Sequence, residues 1–292
     1  MEQNENIINL PAIVMSTTTI EKSINKKDIF NLIKDIPEKP YFVDKKNSVV
    51  LFNNDCFDIL SKLPENSVDM IFADPPYFLS NGGFTCHAGK KVSVNKGKWD
   101  VSKGIEGDFI FTQRWLRECQ RVLTSNGTIW VSGTSHIIYT VGSAMQGLGY
   151  KILNDIAWFK VNPPPNLSCR YFTHSTETIL WAAKSKDSKH FFNYPLMKKM
   201  NNDKQMLSLW SIKAPGLAEK IYGKHPTQKP LELLNRIVLA STKPGDIVLD
   251  PFAGSSTTGV AAVGGKRQFI GIELEQVYLK TSIKRLNDLG KT

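Results

Sequence analysis

The sequence has few cysteines and no closely spaced pair of them. Cys56, Cys86, Cys119 and Cys169 lie far apart and form no C-x-x-C motif. This spacing argues against a disulfide framework and a zinc cluster and is typical of reduced thiols in the cytoplasm. No apolar run approaches the roughly 18 residues needed to cross a bilayer, and the N-terminal stretch MEQNENIINLPAIVM lacks the positive charge of a secretory signal. We therefore expect a cytoplasmic protein with no membrane segment and no metal.

Negative charge is in deficit. The 292 residues include 37 Lys and Arg against 27 Asp and Glu, which gives a net charge of +10. Such an excess favours a polyanionic partner such as a nucleic acid, although a basic surface can also serve solubility alone.

Short apolar runs alternate with helical patterns from Ser48 onwards. The runs are SVVLFNND, SVDMIFADPPY, GTIWVSG, YKILNDIAWFK, ETILWAAK, GDIVLD and RQFIGIEL. They predict strands buried on both faces of a mostly parallel sheet. Helical spacing of apolar residues predicts helices over Phe109 to Leu123 and Leu231 to Thr242. Repeated strand–helix units of this kind predict an open α/β sheet with helices on both faces.

Two segments depart from this pattern. Residues 1–45 are polar and rich in Lys and Asn, and we expect an extension outside the core with one helix around Lys27 to Lys34. Residues 185–221 mix basic, aromatic and polar residues without a regular period and are predicted to be an insert. The main domain would then comprise residues 46–184 and 222–292.

A turn rich in Gly, Ser and Thr near the C-terminus predicts a nucleotide-like ligand. Asp250 ends a predicted strand, the turn leads into a helix, and Glu273 ends the next strand. Small residues let a ligand approach the backbone, and an acid at that second strand end can bind ribose hydroxyls. The turn lacks the G-x-G-x-x-G fingerprint of dinucleotide enzymes. S-adenosylmethionine, which has a ribose and a carboxylate, fits better.

The motif Asp74-Pro75-Pro76-Tyr77 follows another predicted strand. The exocyclic amino group of a nucleobase is a poor nucleophile because its lone pair is delocalised into the ring. Two acceptors, the Asp74 carboxylate and the Pro75 carbonyl, would draw that nitrogen toward tetrahedral geometry. Tyr77 could stack on a base swung out of the duplex. The alternative is an ordinary proline-rich turn.

Together these segments resemble a known family. DPPYFLSNGG, HPTQKP, DPFAGSSTTG and FIGIELEQVYL are similar to motifs of the β-group DNA adenine-N6 methyltransferases of type II restriction–modification systems, in which the catalytic motif precedes the donor-binding motif. The resemblance runs from about Val49 to Leu286 and includes NPPPNLSCRYFTHSTETILWA. It implies a Rossmann-like S-adenosylmethionine-dependent fold and methyl transfer to N6 of a flipped adenine in a specific DNA site. It implies DNA as partner, double-stranded or also single-stranded, and leaves a homodimer and a cognate restriction endonuclease open.

The resemblance also implies roles for individual residues. Asp74, Pro75, Pro76 and Tyr77 would form the catalytic motif and the target-base pocket. The donor site would comprise Asp55, Cys56, His225, Thr227, Gln228, Lys229, Asp250, Phe252, Ala253, Gly254, Ser255, Ser256, Thr257 and Glu273. Ser256 departs from the family, which usually has glycine there, and a positive φ at serine would be strained. We expect the turn to tolerate serine, with its hydroxyl helping to cap the next helix, rather than to lose donor affinity.

Basic residues predict where DNA binds. Lys90, Lys91, Lys96 and Lys98 lie beside the catalytic motif in a segment that we expect to clamp DNA, with a merely solvated surface as the alternative. Arg170, His174, Lys198 and Lys199 are further candidates for phosphate or base contacts. By the resemblance, residues 185–221 are the target-recognition region. Separately, the loop Asn162-Pro163-Pro164-Pro165 follows another apolar run and is expected to line the catalytic pocket, with an ordinary turn as the alternative.

Other functions stay open at this point. Cytosine-N4 methylation uses the same geometry, although those enzymes more often carry serine at the position of Asp74. A nucleotide-dependent oxidoreductase is disfavoured by the missing glycine fingerprint. A non-catalytic DNA-binding protein would not need an intact Asp-Pro-Pro-Tyr motif. Carbon-5 chemistry would need a cysteine nucleophile, and neither Cys56 nor Cys86 follows a proline.

Overall fold

The computed structural model describes residues 28–80, 84–87, 90–93, 97, 100–163, 165–166, 168–223 and 225–289, and for 84–87 and 90–93 it describes the backbone. Lys96 and Lys98 of the expected DNA clamp lie outside the described residues, as do the side chains of Lys90, Lys91 and Cys86. Among the helices in these ranges, none is long and apolar enough to cross a lipid bilayer.

The predicted strands and helices are present. The strands are β1 (Phe42–Asp44), β2 (Val49–Phe52), β3 (Val68–Ala73), β4 (Phe84–His87), β5 (Lys90–Ser93), β6 (Leu123–Gly133), β7 (Lys151–Phe159), β8 (Thr176–Ala183), β9 (Leu209–Ser211), β10 (Ile247–Asp250) and β11 (Gln268–Ile272). The helices are α1 (Ile29–Ile33), α2 (Cys56–Leu60), α3 (Ile105–Val122), α4 (Ile138–Gly147), α5 (Tyr194–Met200), α6 (Leu231–Ser241), α7 (Thr257–Gly264) and α8 (Gln276–Leu289), with a 3₁₀ turn at Leu217–Lys220. Each apolar run of the sequence coincides with a strand.

Nine strands form one sheet in the order β1-β2-β11-β10-β3-β6-β8-β7-β9, and β4 and β5 form a separate hairpin. The five strands from β2 to β6 in that order are parallel to each other. β8 runs antiparallel to both β6 and β7, and β9 is parallel to β7. The carboxyl ends of the parallel strands therefore lie on the same side of the sheet as the amino end of β8. We call this row of strand ends the carboxyl edge, as distinct from the outer strands of the sheet.

Both faces of the sheet are buried, as the apolar runs predicted. On β2, Val50 and Phe52 belong to a core formed with α2, α3 and α4, whereas Val49 and Leu51 belong to a core formed with α6, α7 and α8. Alternate side chains of a strand point to opposite faces, so consecutive apolar residues fill both cores. The arrangement confirms the predicted α/β fold class.

The expectation that residues 1–45 lie outside the core is wrong for the part that the structure describes. Ile29 is fully buried, and its backbone N–H donates to the side-chain oxygen of Gln268 at 3.0 Å. β1 pairs antiparallel with β2 and forms the edge of the main sheet. The polar composition misled because an edge strand has only one neighbour and needs few apolar residues.

Residues 185–221 also contribute to the sheet. β9 pairs with β7, and Met197 and Trp210 are buried in the core on the α6 side. The segment is thus built onto the edge of the sheet opposite β1. Its role in target recognition stays a prediction.

Candidate active site

A cavity of about 220 Å³ lies at the carboxyl edge. Its lining residues are Asn54, Asp55, Cys56, Asp74, Pro75, Pro76, Tyr77, Phe111, His225, Thr227, Pro251, Phe252, Ile272, Glu273, Leu274 and Tyr278. A smaller cavity of about 30 Å³ shares Asp74, His225 and Thr227 with it and is also lined by Gln228, Lys229, Asp250, Ala253, Gly254, Ser255 and Thr257. The catalytic motif and the donor-binding turn predicted from the sequence therefore line the same two cavities.

The side chain of Glu273 binds the backbone of the turn after β10. Its Oε2 accepts a hydrogen bond from the Gly254 N–H at 2.8 Å, and its Oε1 accepts one from the Glu275 N–H at 2.7 Å. Gly254 has φ +52°, and a Cβ there would lie 3.0 Å from the ring Nε2 of His225. Glycine is required at this point because the conformation is left-handed and the His225 ring leaves little space.

The last helix clamps the same turn. On α8, the guanidinium Nη1 of Arg285 donates to the carbonyl of Ser255 at 2.7 Å and to the hydroxyl of Thr257 at 2.9 Å. The Ser282 hydroxyl donates to the carbonyl of Gly254 at 2.9 Å. Sequence analysis missed both α8 residues because their partners lie about one full strand–helix unit earlier in the chain.

Asp250 lies beneath the turn. Its carboxylate accepts hydrogen bonds from the Phe252 N–H at 3.0 Å and from the Thr258 hydroxyl at 2.6 Å. Burial raises the pKa of Asp250 to about 7 even though these bonds oppose the shift. Asp250 thus holds both the start of the turn, at Phe252, and the first residues of α7, at Thr258. Its pKa lies near neutral pH.

Ser256 adopts the strained conformation that its sequence context suggested. Its φ of 53° and ψ of 43° are left-handed, and its side chain makes no cap hydrogen bond to α7. Within the described residues its hydroxyl is buried without a hydrogen-bond partner. The expectation that this hydroxyl caps the helix is therefore wrong, since a side chain that caps does so from an extended backbone.

Asp55 and Cys56 line the larger cavity from the start of α2. The Asp55 carboxylate caps this helix by accepting from the Phe57 N–H at 2.9 Å. Burial raises the pKa of the Cys56 thiol far above its ordinary value. A buried, protonated thiol is a poor nucleophile, which argues against carbon-5 chemistry at Cys56.

The HPTQKP segment contributes to both sites. The His225 ring lies edge-on to the Tyr278 ring at a centroid distance of 4.2 Å. Gln228 accepts a hydrogen bond from the Ser255 hydroxyl at 3.2 Å and so supports the donor turn. Lys229 lines the smaller cavity with the donor turn, and its ammonium group is directed to Asp74, with 2.5 Å between Nζ and Oδ2.

The Asp74 carboxylate is the centre of a buried polar cluster. Its Oδ1 accepts hydrogen bonds of 2.6 Å each from the hydroxyls of Tyr77 and Ser132, and Oδ2 faces Lys229. The side chain of Lys229 is only 6% exposed, and that of Asp74 is 14% exposed. The carboxylate is thus fixed in orientation by three donors from three parts of the chain.

Glu177, at the amino end of β8, completes the cluster. Its Oε2 lies 3.3 Å from the Tyr77 hydroxyl and 3.6 Å from the Lys229 ammonium, and Lys160 forms an ion pair with its Oε1. Burial alone would raise the pKa of Glu177, but Lys229 and Lys160 outweigh it and hold the pKa below its ordinary value. Likewise, burial would lower the pKa of Lys229, but Asp74 and Glu177 outweigh it and raise it. The cluster therefore contains two close ion pairs, Lys229 with Asp74 and Lys160 with Glu177.

Neither Glu177 nor Ser132 was identified from the sequence. A weak signal existed for Glu177, because the run ETILWAA begins with a lone acid at a strand that is otherwise apolar. A charged residue at such a place needs a partner when it is buried.

The chain that follows the catalytic motif is held by Asp100. Its Oδ1 accepts from the backbone N–H groups of Tyr77 and Phe78 at 2.9 and 2.8 Å, and its Oδ2 accepts from the Leu79 N–H and the Ser80 hydroxyl at 3.2 and 2.8 Å. Asp100 is fully buried. One carboxylate thus sets the path of four consecutive residues.

The Tyr77 ring is largely buried. Only 5% of the residue is exposed, and its hydroxyl lies in the polar cluster while the side chain still lines the larger cavity. Stacking of this ring on a target base stays a prediction.

The structure separates the expected DNA-binding residues into two groups. Arg170 and His174 are exposed on the loop before β8, and the His174 ring lies 6.5 Å from that of His136, just after β6. They therefore lie at the carboxyl edge. Lys198, followed by Lys199 on α5, lines a pocket with Leu153 near the beginning of β7, which is the opposite end of the sheet.

The expectation that the loop with Asn162 and Pro163 lines the catalytic pocket is not met by the two cavities. Neither residue is among those that line them. Asn162 is exposed and Pro163 is half-buried.

The chain is similar to known proteins in its family, its sequence and its structure. The family model N6_N4_Mtase, described as DNA methylase, matches residues 68–284. The Type II methyltransferases M2.DpnII of Streptococcus pneumoniae and M2.LlaDCHI of Lactococcus lactis subsp. cremoris are 54% and 56% identical to the chain, covering 87% and 85% of it and 94% and 92% of their own lengths. The crystal structure of M1.HpyAVI in complex with SAM matches with a TM-score of 0.61 and 31% identity over 82% of this chain and 99% of that one.

Proposed function

The chain belongs to the N6_N4_Mtase family of DNA methylases, and we propose that it transfers a methyl group from S-adenosylmethionine to N6 of an adenine swung out of DNA, as the modification enzyme of a type II restriction–modification system. One observation carries the proposal: the Asp74 carboxylate lines the same cavity as Glu273 and the turn after β10. The relatives named Type II methyltransferases support the biological role.

The residues of the larger cavity fit this donor. Glu273 offers carboxylate oxygens for ribose hydroxyls. In the adjoining smaller cavity, Gly254 has no Cβ that would crowd His225. Phe252 and Tyr278 provide apolar walls, and Asp55 adds negative charge. When bound, S-adenosylmethionine supplies a methyl carbon on a positively charged sulfur, which keeps the bonding electron pair when the amino nitrogen attacks.

Asp74 and Pro75 act on the target amino group. The Asp74 carboxylate and the Pro75 carbonyl accept its two hydrogens, which concentrates the lone pair on nitrogen. The methylated nitrogen carries a positive charge until it loses one proton, for which the Asp74 carboxylate is the nearest base among the motif's side chains. The protein contributes alignment and charge, and no covalent enzyme intermediate is required.

Adenine is favoured over cytosine because the motif begins with Asp74, whereas cytosine-N4 enzymes more often carry serine there. DNA would approach the carboxyl edge, where Arg170 and His174 are exposed, and the net charge of +10 would assist the encounter. We further propose that the enzyme works in the cytoplasm, where DNA and the donor occur, with a cognate endonuclease in the same system and a homodimer as a candidate form.

The test is mass spectrometry of nucleosides after incubation of the protein with donor and DNA. We expect N6-methyladenine from the wild type and none from Asp74→Ala, with donor binding retained in that variant by isothermal titration. N4-methylcytosine instead would assign the alternative reaction. Unimpaired turnover by Asp74→Ala would remove this residue from the mechanism.

A further inference from the structure

The catalytic carboxylate is already occupied on both of its oxygens. Tyr77 and Ser132 donate to Oδ1, and the Lys229 ammonium lies 2.5 Å from Oδ2. A carboxylate oxygen accepts about two hydrogen bonds, so Oδ1 has no free lone pair. An incoming amino group must therefore bind at Oδ2, which has room for one further donor, and there it competes with the Lys229 ammonium for the charge of that oxygen.

Glu177 is the only other acid that the described structure brings to Lys229 as an ion-pair partner. Its Oε2 lies 3.6 Å from Nζ, beyond hydrogen-bond distance but within reach of a small side-chain shift. Lys160 pairs with Oε1 and so fixes the Glu177 carboxylate from its other side. The Tyr77 hydroxyl lies between the two acids, 2.6 Å from Asp74 and 3.3 Å from Glu177.

Electrostatics favours displacement of the Lys229 ammonium from Asp74 when donor and target base are bound. A positive group close to Asp74 competes with the amino hydrogens for Oδ2, and it also opposes a positively charged donor in the neighbouring cavity. Removing Lys229 from Asp74 without a second partner would leave a buried unpaired charge, which is costly. Glu177 provides that second partner within the same cluster.

We propose that Glu177 is a positioning residue that takes over the Lys229 ammonium when the target amino group reaches Asp74, which removes the competing positive charge from Oδ2. This inference rests on the proposed function, because it describes how the same site admits its acceptor. No bond is made or broken in the exchange, and the charge of the cluster is unchanged by it.

The test compares Glu177→Gln with the wild type in single-turnover methyl transfer and in isothermal titration with S-adenosylmethionine. The amide keeps the size of the side chain but binds an ammonium less strongly, so Lys229 should stay on Asp74. We expect the transfer rate to fall by about 10- to 100-fold, in line with the loss of one charged hydrogen bond, while the donor Kd stays within about twofold of the wild type. A transfer rate equal to that of the wild type would overturn the inference.

A double-mutant cycle with Lys229→Met separates positioning from a general structural effect. If Glu177 acts through Lys229, adding Glu177→Gln to Lys229→Met changes the rate by less than about twofold, whereas independent effects would multiply. Multiplying effects would overturn the inference. Glu118→Gln is the matched control, since it also removes a carboxylate from an ion pair, with Arg121 on α3, and should leave rate and donor affinity unchanged.

Glu177→Gln leaves one unbalanced ammonium in the cluster and could destabilise the fold. The double variant Glu177→Gln, Lys160→Met restores the charge balance and should fold while remaining as slow as Glu177→Gln; full speed there would overturn the inference. Failure of the proposed function is distinguishable, because the wild type itself would then form no N6-methyladenine. If the wild type methylates DNA and Asp74→Ala does not, the proposed function stands. A wild-type transfer rate in Glu177→Gln would then exclude only the positioning role of Glu177.

Discussion

The buried carboxylate of Asp100 accepts a 2.8 Å hydrogen bond from the backbone N–H of Phe78, whose φ of 56° lies in the left-handed region. A bulky residue rarely adopts this conformation without support from its surroundings. Phe78 directly follows Tyr77, the last residue of the proposed catalytic motif, and Asp100 also holds the Tyr77 N–H. The strained turn after the motif is therefore maintained by a residue more than twenty positions further along the chain.

We expect Asp100→Ala to slow methyl transfer by about 10- to 100-fold, since each lost charged hydrogen bond is worth roughly 1.5–3 kcal/mol. Donor affinity should change little, because Asp100 does not line the larger cavity. Single-turnover rates and donor titration measure the two effects. Asp100→Asn retains one acceptor oxygen and should be less impaired; equal impairment of both variants would show that charge alone matters.

Ser256→Gly should stabilise the protein. The replacement relieves the left-handed strain of about 1–2 kcal/mol and removes a buried hydroxyl without a partner, offset by roughly 0.5–1 kcal/mol of extra backbone entropy in the unfolded chain. Urea unfolding should show a net gain of about 1 kcal/mol or more. Ser256→Ala measures the contribution of the hydroxyl alone, because alanine keeps the strain of the left-handed backbone.

Donor titration on wild-type protein checks the related expectation that the turn tolerates serine. Binding in the micromolar range would support it, and the absence of binding up to millimolar donor would contradict it.

The pKa of Asp250 predicts a pH dependence of stability. Its folded value of about 7 lies above that of an unfolded aspartate, so between about pH 4 and pH 7 the folded state retains a proton that the unfolded state has lost. The contribution of Asp250 to stability therefore falls as pH rises through this window, by on the order of 4 kcal/mol in all.

Asp250→Asn should abolish this contribution. The free energy of unfolding of the wild type, relative to that of the variant, should decrease between pH 4.5 and pH 8 in urea titrations. Other titrating groups, such as Glu177, are present in both proteins, so their contributions cancel in the difference between the two free energies of unfolding. Parallel curves for the two proteins would contradict the raised pKa.

DNA binding should depend on Arg170 more than on Lys198. Arg170 is exposed at the carboxyl edge, whereas Lys198 lies toward the opposite end of β7. If a basic residue neutralises a phosphate, its removal reduces the slope of the logarithm of the binding constant against the logarithm of the salt concentration by about one. We expect this change for Arg170→Ala and not for Lys198→Ala in fluorescence anisotropy at several salt concentrations. The reverse order would move the DNA path to α5.

Local patterns in the sequence predicted the sheet and identified two segments that line the cavities, the turn after β10 and the motif from Asp74 to Tyr77, because each depends on residues that are close in the chain. Consecutive apolar residues such as Val49 and Val50 are enough to indicate a strand buried on two faces. The same holds for Gly254, where small neighbours mark a close backbone approach. The family and the fold class were confirmed by the comparisons.

Contacts between distant segments could not be predicted in the same way. Lys229 was assigned to the donor by its neighbours in HPTQKP, and nothing in that segment indicated that its long side chain also reaches Asp74, 155 positions away. Asp100 lies in a stretch without regular period, and nothing local relates it to Tyr77. Residues 28–44 were misassigned for a similar reason, because the pairing of β1 with β2 depends on an edge that only the folded sheet provides.

The clamp from α8 has a consequence for synthesis on the ribosome. The carbonyls of Gly254 and Ser255 are held by Ser282 and Arg285, which are translated about thirty residues later. A nascent chain in which α8 has not yet been made lacks these contacts, so its turn is held by Glu273 and Asp250 without the support of α8. The full set of hydrogen bonds around the donor turn is thus complete only after α8 has been made.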